Sequence, residues 1–256
     1  MISKTLQKYI LNLQNKKARE KEKLFVAEGK KIVTELLESH LKIESLYAGA
    51  DFIEKNKILI EKKKIKSHHV TTEDLKKISS LVHPDDALAI CQITEHNPEF
   101  PDALNQMIVY LDDIRDPGNM GTIIRVCDWF NVPFVFCSKE TVDLYNPKTI
   151  QASMGSFIRV PVLYTDLFSL LSQLKLKYSQ KIPVYGTYVH GENIYEQKVF
   201  EPGILIIGNE ANGIGKLAEQ AINRKIAIPK INTGGPESLN ASIATALMLA
   251  EFTRRK

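Results

Sequence analysis

Three stretches of this chain place glycines and hydrogen-bonding side chains where apolar runs end, as a ligand site built from loops would. The first is LDDIRDPGNMGTIIRVCDWF, residues 111–130, in which an apolar strand runs into Asp116, Pro117, Gly118, Asn119 and Gly121 and then into a helix carrying Arg125. Gly118 and Gly121 would let another backbone or a ligand come close. Asn119 is either a plain N-cap or a site residue, and Arg125 is either paired with a surface acid or turned to a ligand. The second is GILIIGNEANGIGK, residues 203–216, a buried strand ending in a Gly/Asn-rich loop. It holds no GxGxxG, and it misses the phosphate-loop pattern because Ile214 stands where lysine is needed. Glu210 would repel a triphosphate and suits a neutral or cationic ligand. The third is IPKINTGGPESLNASIATALMLAEF, residues 228–252, where a strand ends at Pro229 and Ser238 and Asn240 open an apolar helix rich in small residues.

The elements that would carry these loops follow from periodicity. From residue 107 onward strands and helices alternate: MIVYLDD, a helix over 119–130, PFVFCS, a helix over 147–154, FIRVPV, the helix LFSLLSQLKLK, IPVYGTY, GILIIG, a short helix over 216–221, KIAIPK and a last helix over 239–254. Such βαβ alternation predicts an α/β fold, a mostly parallel sheet with helices on both faces. Ligands in such sheets sit beyond the carboxyl ends of the strands. The last helix is too short to span lipid, so its small residues predict close packing against protein. Residues 20–95 read as a smaller α/β unit with strands LFVAEG, IESLYAG, KILI, SHHV and ALAICQI, and with Thr72 capping a helix. EHNPEFPDA, containing Pro98 and Pro101, reads as a linker.

Composition narrows the function classes. The 256 residues are 44% hydrophobic and 25% charged, which excludes a collagenous or largely disordered chain. The net charge of +4 is front-loaded: residues 1–30 carry eight Lys/Arg against three acids, whereas residues 101–256 carry 16 against 15. The leading segment reads as an amphipathic helix followed by the basic stretch Lys16 to Lys23, either a solvated face or an RNA-facing one. Three cysteines, Cys91, Cys127 and Cys137, form no CxxC pair, which argues against a disulfide framework or a structural zinc. His68 and His69 lack an acidic or Cys partner at ligand spacing, so no metal is expected. Tyr110, Trp129 and Phe130 flank the first loop and read as core residues. No secretory signal and no stretch approaching ~18 apolar residues is present, so no membrane association and a cytoplasmic location are expected.

In order and spacing, the three loops resemble the SpoU (TrmH-like) family of RNA ribose 2′-O-methyltransferases, of the SPOUT class. The matching residues are Asn119-x-Gly121 with Arg125, then Gly208, Glu210 and Gly213 after a strand, then Ile228-Pro229 and Ser238-Leu239-Asn240 before a small-residue helix. NPKTIQASMGSFIRVPV is similar to the family's connecting segment, and FVAEGKKIV, more loosely, to the accessory substrate-binding domain of rRNA-acting members. Lys230 departs from the apolar residue that often follows Ile-Pro, and the loop before Ser238 is slightly long.

The resemblance implies a fold and a set of roles. The fold is an α/β domain over 105–256 whose C-terminal segment forms a deep trefoil knot, an exception to the no-knot rule, preceded by an RNA-binding domain over 1–97. The cofactor implied is S-adenosylmethionine (SAM), at Gly208, Ile228 and Leu239 with Gly186, Thr187, Asn209, Ser238 and Ala241 as neighbours. Arg125 takes the catalytic role, and Asn119, Glu210, Ser238 and Asn240 position it or the ribose. The partners implied are RNA, with rRNA favoured over tRNA, and a second copy of the chain through the Arg125 helix and the last helix. The rival readings are a tRNA 2′-O-methyltransferase and a catalytically silent RNA-binding or ribosome-assembly factor on the same fold.

Overall fold

The apolar runs that alternate with helical periodicity become strands and helices almost one for one. The computed structural model describes residues 2–94, 97, 99–102, 104–178, 181–196, 200–232 and 234–254; Glu95, His96, Pro98 and Ala103 of the expected linker lie outside the described residues. In chain order the elements are α1 (Lys4–Asn12), α2 (Lys16–Glu22), β1 (Leu24–Glu28), α3 (Lys30–Glu38), β2 (Ile43–Ala48), α4 (Ala50–Lys55), α5 (Lys57–Lys62), β3 (Lys66–His69), α6 (Thr72–Ile78) and β4 (Ala87–Gln92). There follow β5 (Ile108–Asp112), α7 (Pro117–Trp129), β6 (Val135–Cys137), α8 (Pro147–Ser153), β7 (Val162–Tyr164), α9 (Leu167–Lys177), β8 (Val184–Tyr188), β9 (Glu192–Asn193), β10 (Ile204–Gly208), α10 (Lys216–Glu219), β11 (Arg224–Ala227) and α11 (Ala241–Arg254). They form two compact units, Met1–Glu95 with Asp143–Ile158, and His96–Val142 with Arg159–Lys256.

The first unit is a four-stranded sheet in the order β1-β4-β2-β3. One face packs Val26, Tyr47, Leu88 and Ile90 against Ile10, Leu13, Leu75 and Ile78 of the helical side. Phe25, pointing the other way, meets the rings of Tyr145 and Phe157 at 4.6 and 5.8 Å. That contact explains why residues 143–158 join this unit, although the expected division assigned them to the second: α8 packs on β1 and buries Thr149, Ile150 and Ser153. KILI, expected as a strand, is the core of helix α5, in which Ile60 alone is buried. The cap of α6 is Thr71, whose side chain accepts from the Asp74 N–H, rather than Thr72.

The second unit is a seven-stranded parallel sheet in the order β7-β6-β5-β10-β8-β11-β9. One face packs Ile108, Tyr110, Ile204 and Ile206 against Leu167, Leu170 and Leu174 of α9 and Ala218 of α10. The opposite face is covered by α7 and α11, which pack on one another, and Tyr185 meets Phe252 of α11 at 5.0 Å. FIRVPV begins as a 3-10 turn at Ser156–Ile158 and becomes strand only from Val162, because Phe157 is drawn to Phe25 in the first unit. The register aligns Gly208 with Asp112, Ile206 with Gly186 and Gly186 with Lys225, so the carboxyl ends of β5, β10, β8 and β11 lie in one row. The three loops singled out by sequence leave three of those ends. No helix among the described residues is long and apolar enough to cross a membrane.

Candidate active site

The first loop is shaped by a cap that the sequence reading placed elsewhere. Asp116, not Asn119, is the N-cap of α7: its Oδ1 accepts from the Asn119 N–H at 2.7 Å, and Pro117 occupies the first turn, where a missing N–H costs nothing. Asn119 therefore lies inside the helix and its side-chain amide is released for other partners. Its Nδ2 donates to Glu210 Oε1 at 2.8 Å, and its Oδ1 accepts from Asn240 Nδ2 at 2.8 Å. Asn240 is the N-cap of α11: its Oδ1 accepts from Ser242 N at 2.9 Å, Ser242 Oγ at 2.6 Å and Ile243 N at 3.3 Å. The helix cap turns the Asn240 oxygen toward α11, so its nitrogen faces Asn119. That in turn aims the Asn119 nitrogen at the Glu210 carboxylate. One residue from each loop thus enters a single chain of hydrogen bonds.

The second loop is closed onto itself and onto the first. A Cβ on Gly208 would lie 2.4 Å from the backbone of Gly213 and Ile214, so only glycine allows this closure. Asn209 and Gly213 exchange both backbone hydrogen bonds at 2.9 Å. The Asn209 side chain donates to the Asp113 carbonyl at 2.7 Å and accepts from Ala211 N and Asn212 N. Asp112 Oδ2 accepts from Gly215 N at 2.7 Å; burial raises this carboxyl above the ordinary aspartate range, against the lowering effect of that hydrogen bond.

The remaining expected residues are placed as follows. Gly186 lies in β8 between β10 and β11, with Ile222 and the Tyr188 ring within 2.5 and 2.8 Å of where a Cβ would stand. Thr187 Oγ1 donates to the Ile206 carbonyl at 3.1 Å. Ile228 is half-buried one residue past β11, Leu239 is exposed, and Ala241 is buried at the start of α11. Ser238 is exposed and, among the described residues, has no side-chain partner. Arg125 is exposed on α7, and its guanidinium has no hydrogen-bond or ion-pair partner among the described residues. The structure therefore joins Asn119, Glu210 and Asn240 directly, sets Gly208 and Asn209 in the same loop, and leaves Arg125 and Ser238 turned to solvent.

Sequence reasoning missed Asp112 and Asp113, which staple the loops, and named Asp116 in the first loop without its role as cap. The signal for Asp116 was present as Asp-Pro at the head of a helical run. Trp129, expected in the core, is 85% exposed, whereas Tyr110 is buried and donates to the Thr165 carbonyl. His68 stacks on Tyr47 at 4.9 Å, and no group of three or more metal-ligating side chains occurs among the described residues. Chemically, the arrangement offers backbone polar groups at four strand ends and the carboxylates of Asp112 and Glu210, while Asp113 is paired with Arg115 at 2.9 Å; further along α7 stands the Arg125 guanidinium, unpaired among the described residues.

Comparison with known proteins identifies the family and the fold. A family model described as the SpoU rRNA methylase family matches residues 106–250, and one described as an MRM3-like substrate-binding domain matches residues 6–89. The 23S rRNA (guanosine(2553)-2′-O)-methyltransferase RlmP of Bacillus subtilis is 27% identical over 239 residues, covering 93% of this chain and 91% of that protein. The mitochondrial rRNA methyltransferase 3 of Xenopus laevis is 25% identical, covering 98% of this chain and 74% of its own length. Among solved structures, a TrmH-family protein from Porphyromonas gingivalis superposes with a TM-score of 0.84 at 30% identity over the whole of both chains. The AdoMet-bound rRNA methyltransferase of Sinorhizobium meliloti superposes with a TM-score of 0.86 at 26% identity, covering 99% of this chain and 97% of that one.

Proposed function

We propose, from the premise that this chain belongs to the SpoU rRNA methylase family, that it transfers a methyl group from SAM to a ribose 2′-hydroxyl of large-subunit rRNA. The observation that carries this reading is the chain Glu210–Asn119–Asn240, which ties the three motif loops together at the strand ends while Arg125 stays unpaired among the described residues. The rRNA preference is supported by the MRM3-like substrate-binding match over residues 6–89 and by relatives named as rRNA methyltransferases. In this reading residues 1–97 bind RNA and 105–256, apart from the segment 143–158 that packs in the first unit, catalyse, in the cytoplasm.

The residues present fit SAM. Gly208, pressed against the backbone of Gly213 and Ile214, marks a turn that admits no side chain. Ile228, just past β11, and Leu239 and Ala241, on either side of Asn240, would offer backbone N–H and C=O groups and apolar surface to an adenine edge. Asp112 and Glu210 favour a cationic ligand, Asp113 being paired with Arg115. Asn209 acts as the pin of its loop, since its side chain is spent on Asp113, Ala211 and Asn212. When bound, SAM supplies a methyl group already activated by its sulfonium.

What remains for the protein is alignment and charge stabilisation. Positioning alone can lower such a barrier by roughly 7–11 kcal/mol in favourable cases. Arg125 clamps a phosphate beside the target ribose and stabilises the alkoxide that develops on the 2′-oxygen. It is not the proton acceptor, because a guanidinium stays protonated in proteins; the 2′-hydroxyl proton passes to solvent water as the oxygen takes the methyl group and a neutral thioether leaves. Asn119 and Asn240 fix α7 against α11 and so fix the origin of the Arg125 side chain, and Ser238 is free to meet the substrate. The enzyme acts as a homodimer through α7 and α11. The trefoil knot is supported by membership of the family.

The test is isotope-labelled methyl transfer from SAM to rRNA and tRNA isolated from cells lacking the gene, with mapping of alkali-resistant 2′-O-methyl positions. Label at one ribose in 23S rRNA is the expected result. Label confined to tRNA would overturn the substrate. SAM binding without label in any RNA would overturn the reaction.

A further inference from the structure

The basic leading segment folds into a corner whose charged side chains are sorted by depth. Within the run Lys16 to Lys23, Arg19 is sunk into the first unit and is only 2% exposed. Its Nη1 donates to the Leu13 carbonyl at 2.9 Å and the Gln14 carbonyl at 2.6 Å, and its Nε donates to Asp143 Oδ2 at 3.1 Å. The residue best suited to a fork of hydrogen bonds therefore locks the end of α1 to the start of α2 and to residue 143. The lysines are left outside. Lys16 and Lys21 stand 3.9 and 4.0 Å from Glu20 and Glu22, loose and largely solvated contacts, and Lys17 has no partner among the described residues.

Between α1 and α2 these side chains border an open groove of about 490 Å³, lined by Asn12, Asn15, Lys16, Lys17, Ala18 and Lys21. Lys17 and Lys21, at i and i+4, share one side of α2. Asn15 Nδ2 contacts Asn12 Oδ1 at 3.4 Å, which leaves the Asn15 oxygen and the Asn12 nitrogen able to meet a ribose hydroxyl or a base edge. The carboxylates of an acidic protein surface could meet the lysines and the Asn12 nitrogen but offer no donor to the Asn15 oxygen, whereas ribose hydroxyls and base N–H groups supply one. A corner held by a buried arginine also loses little freedom when its lysines are engaged.

We infer that this groove is a second RNA-contact site, remote in sequence from the methyl-transfer loops, in which Lys16, Lys17 and Lys21 neutralise consecutive backbone phosphates and Asn12 and Asn15 meet the intervening sugars or bases. The inference rests on the reading that RNA is the substrate and names which surface of the leading domain holds it.

The experiment compares the full-length protein with the variant Lys16→Glu/Lys17→Glu/Lys21→Glu in filter binding to protein-free 23S rRNA across a KCl series. Each phosphate contact contributes roughly 0.7–0.9 to the slope of log K against log salt, so the variant should show a slope shallower by roughly two. Its affinity near 100 mM KCl should fall at least ~10-fold. SAM affinity and melting temperature should be unchanged, since the three lysines are exposed. Lys17→Cys carrying an azidophenacyl label gives a second readout, because the three native cysteines are buried and stay unlabelled. On irradiation it should crosslink to the rRNA. Wild-type affinity and slope in the triple variant, or an uncrosslinked RNA that is nevertheless bound, would overturn the groove. Methyl transfer by the wild type is scored separately: transfer with a groove-independent slope removes this inference alone, and groove-dependent binding without transfer removes the proposed reaction alone.

Discussion

Asn119 and Glu210 stand 91 residues apart in the chain and are joined by a 2.8 Å hydrogen bond from Asn119 Nδ2 to Glu210 Oε1. The bond exists because Asp116 takes over the cap of α7 and frees the asparagine. It needs an acceptor on Glu210 but no charge. Glu210→Gln keeps an acceptor oxygen and should retain most methyl transfer. Glu210→Ala leaves the Asn119 amide unheld and should lower kcat/KM about 10-fold, the loss expected for one hydrogen bond near 1.4 kcal/mol. Equal, large losses in both variants, measured as single-turnover rates, would assign Glu210 a charge role instead.

Among the described residues Arg125 makes no hydrogen bond or ion pair that holds the fold, so its removal isolates chemistry from stability. Arg125→Ala should keep its melting temperature and SAM affinity and lose at least ~100-fold in methyl transfer. Arg125→Lys should recover only part of this, because an ammonium cannot hold a phosphate with two parallel N–H donors. Wild-type turnover in Arg125→Ala would remove the mechanism proposed above.

Gly208→Ala tests the turn that closes the second loop. The added methyl would stand 2.4 Å from the backbone of Gly213 and Ile214, which cannot swing away as a side chain could. Overpacking of this kind costs roughly 1–3 kcal/mol. Each kcal/mol corresponds to about 2–4 °C in a chain of this size. A fall in melting temperature of several degrees, with SAM affinity falling further than stability alone explains, is the expected calorimetric result. An unchanged melting temperature would show that the loop can open at no cost.

Asp112 sets a pH dependence whose sign is opposite to that of a paired carboxylate. Burial raises its pKa in the folded protein, above the ordinary unfolded value of about 3.9. The folded state therefore binds the proton more tightly, and stability from this group falls as pH rises through the folded pKa. Asp112→Asn removes the titration and keeps an oxygen to accept from Gly215 N. It should melt above the wild type at pH 7–8, with the advantage shrinking toward pH 4. A constant offset across that range would show that the group does not titrate differently on folding.

The parallel sheet and the three loop residues Asn119, Glu210 and Asn240 were legible in the sequence, because a βαβ period and a spaced motif are local signals. What was not legible depended on distant partners. Asn119 looks like a cap until Asp116-Pro117 is recognised as the stronger start signal. KILI is apolar enough for a strand, yet its flanking Glu and Lys residues and the single buried Ile60 make it a helix. Residues 143–158 follow a strand of the second unit but bury their side chains against Phe25 of the first, which no local pattern announces. Trp129 adjoins a buried face in sequence and still points outward.

That outward tryptophan supplies the test of the proposed homodimer. Trp129 is the chain's single tryptophan and is 85% exposed at the end of α7. On the partner helix α11, Ile243 and Leu247 are 51% and 37% exposed, although a helix this apolar would be expected to bury them. Isolated exposed apolar residues are ordinary, but several on two packed helices beside the site are better explained by a covering surface. If the covering surface is a second copy, Ile243→Asp/Leu247→Asp places two charges at a desolvated interface and should shift sedimentation from dimer to monomer at ~10 µM. Trp129 emission should move to longer wavelength in the same variant, as water reaches the indole. A wild-type monomer at that concentration, with the same emission maximum as the variant, would leave these side chains solvated and each active site complete within one chain.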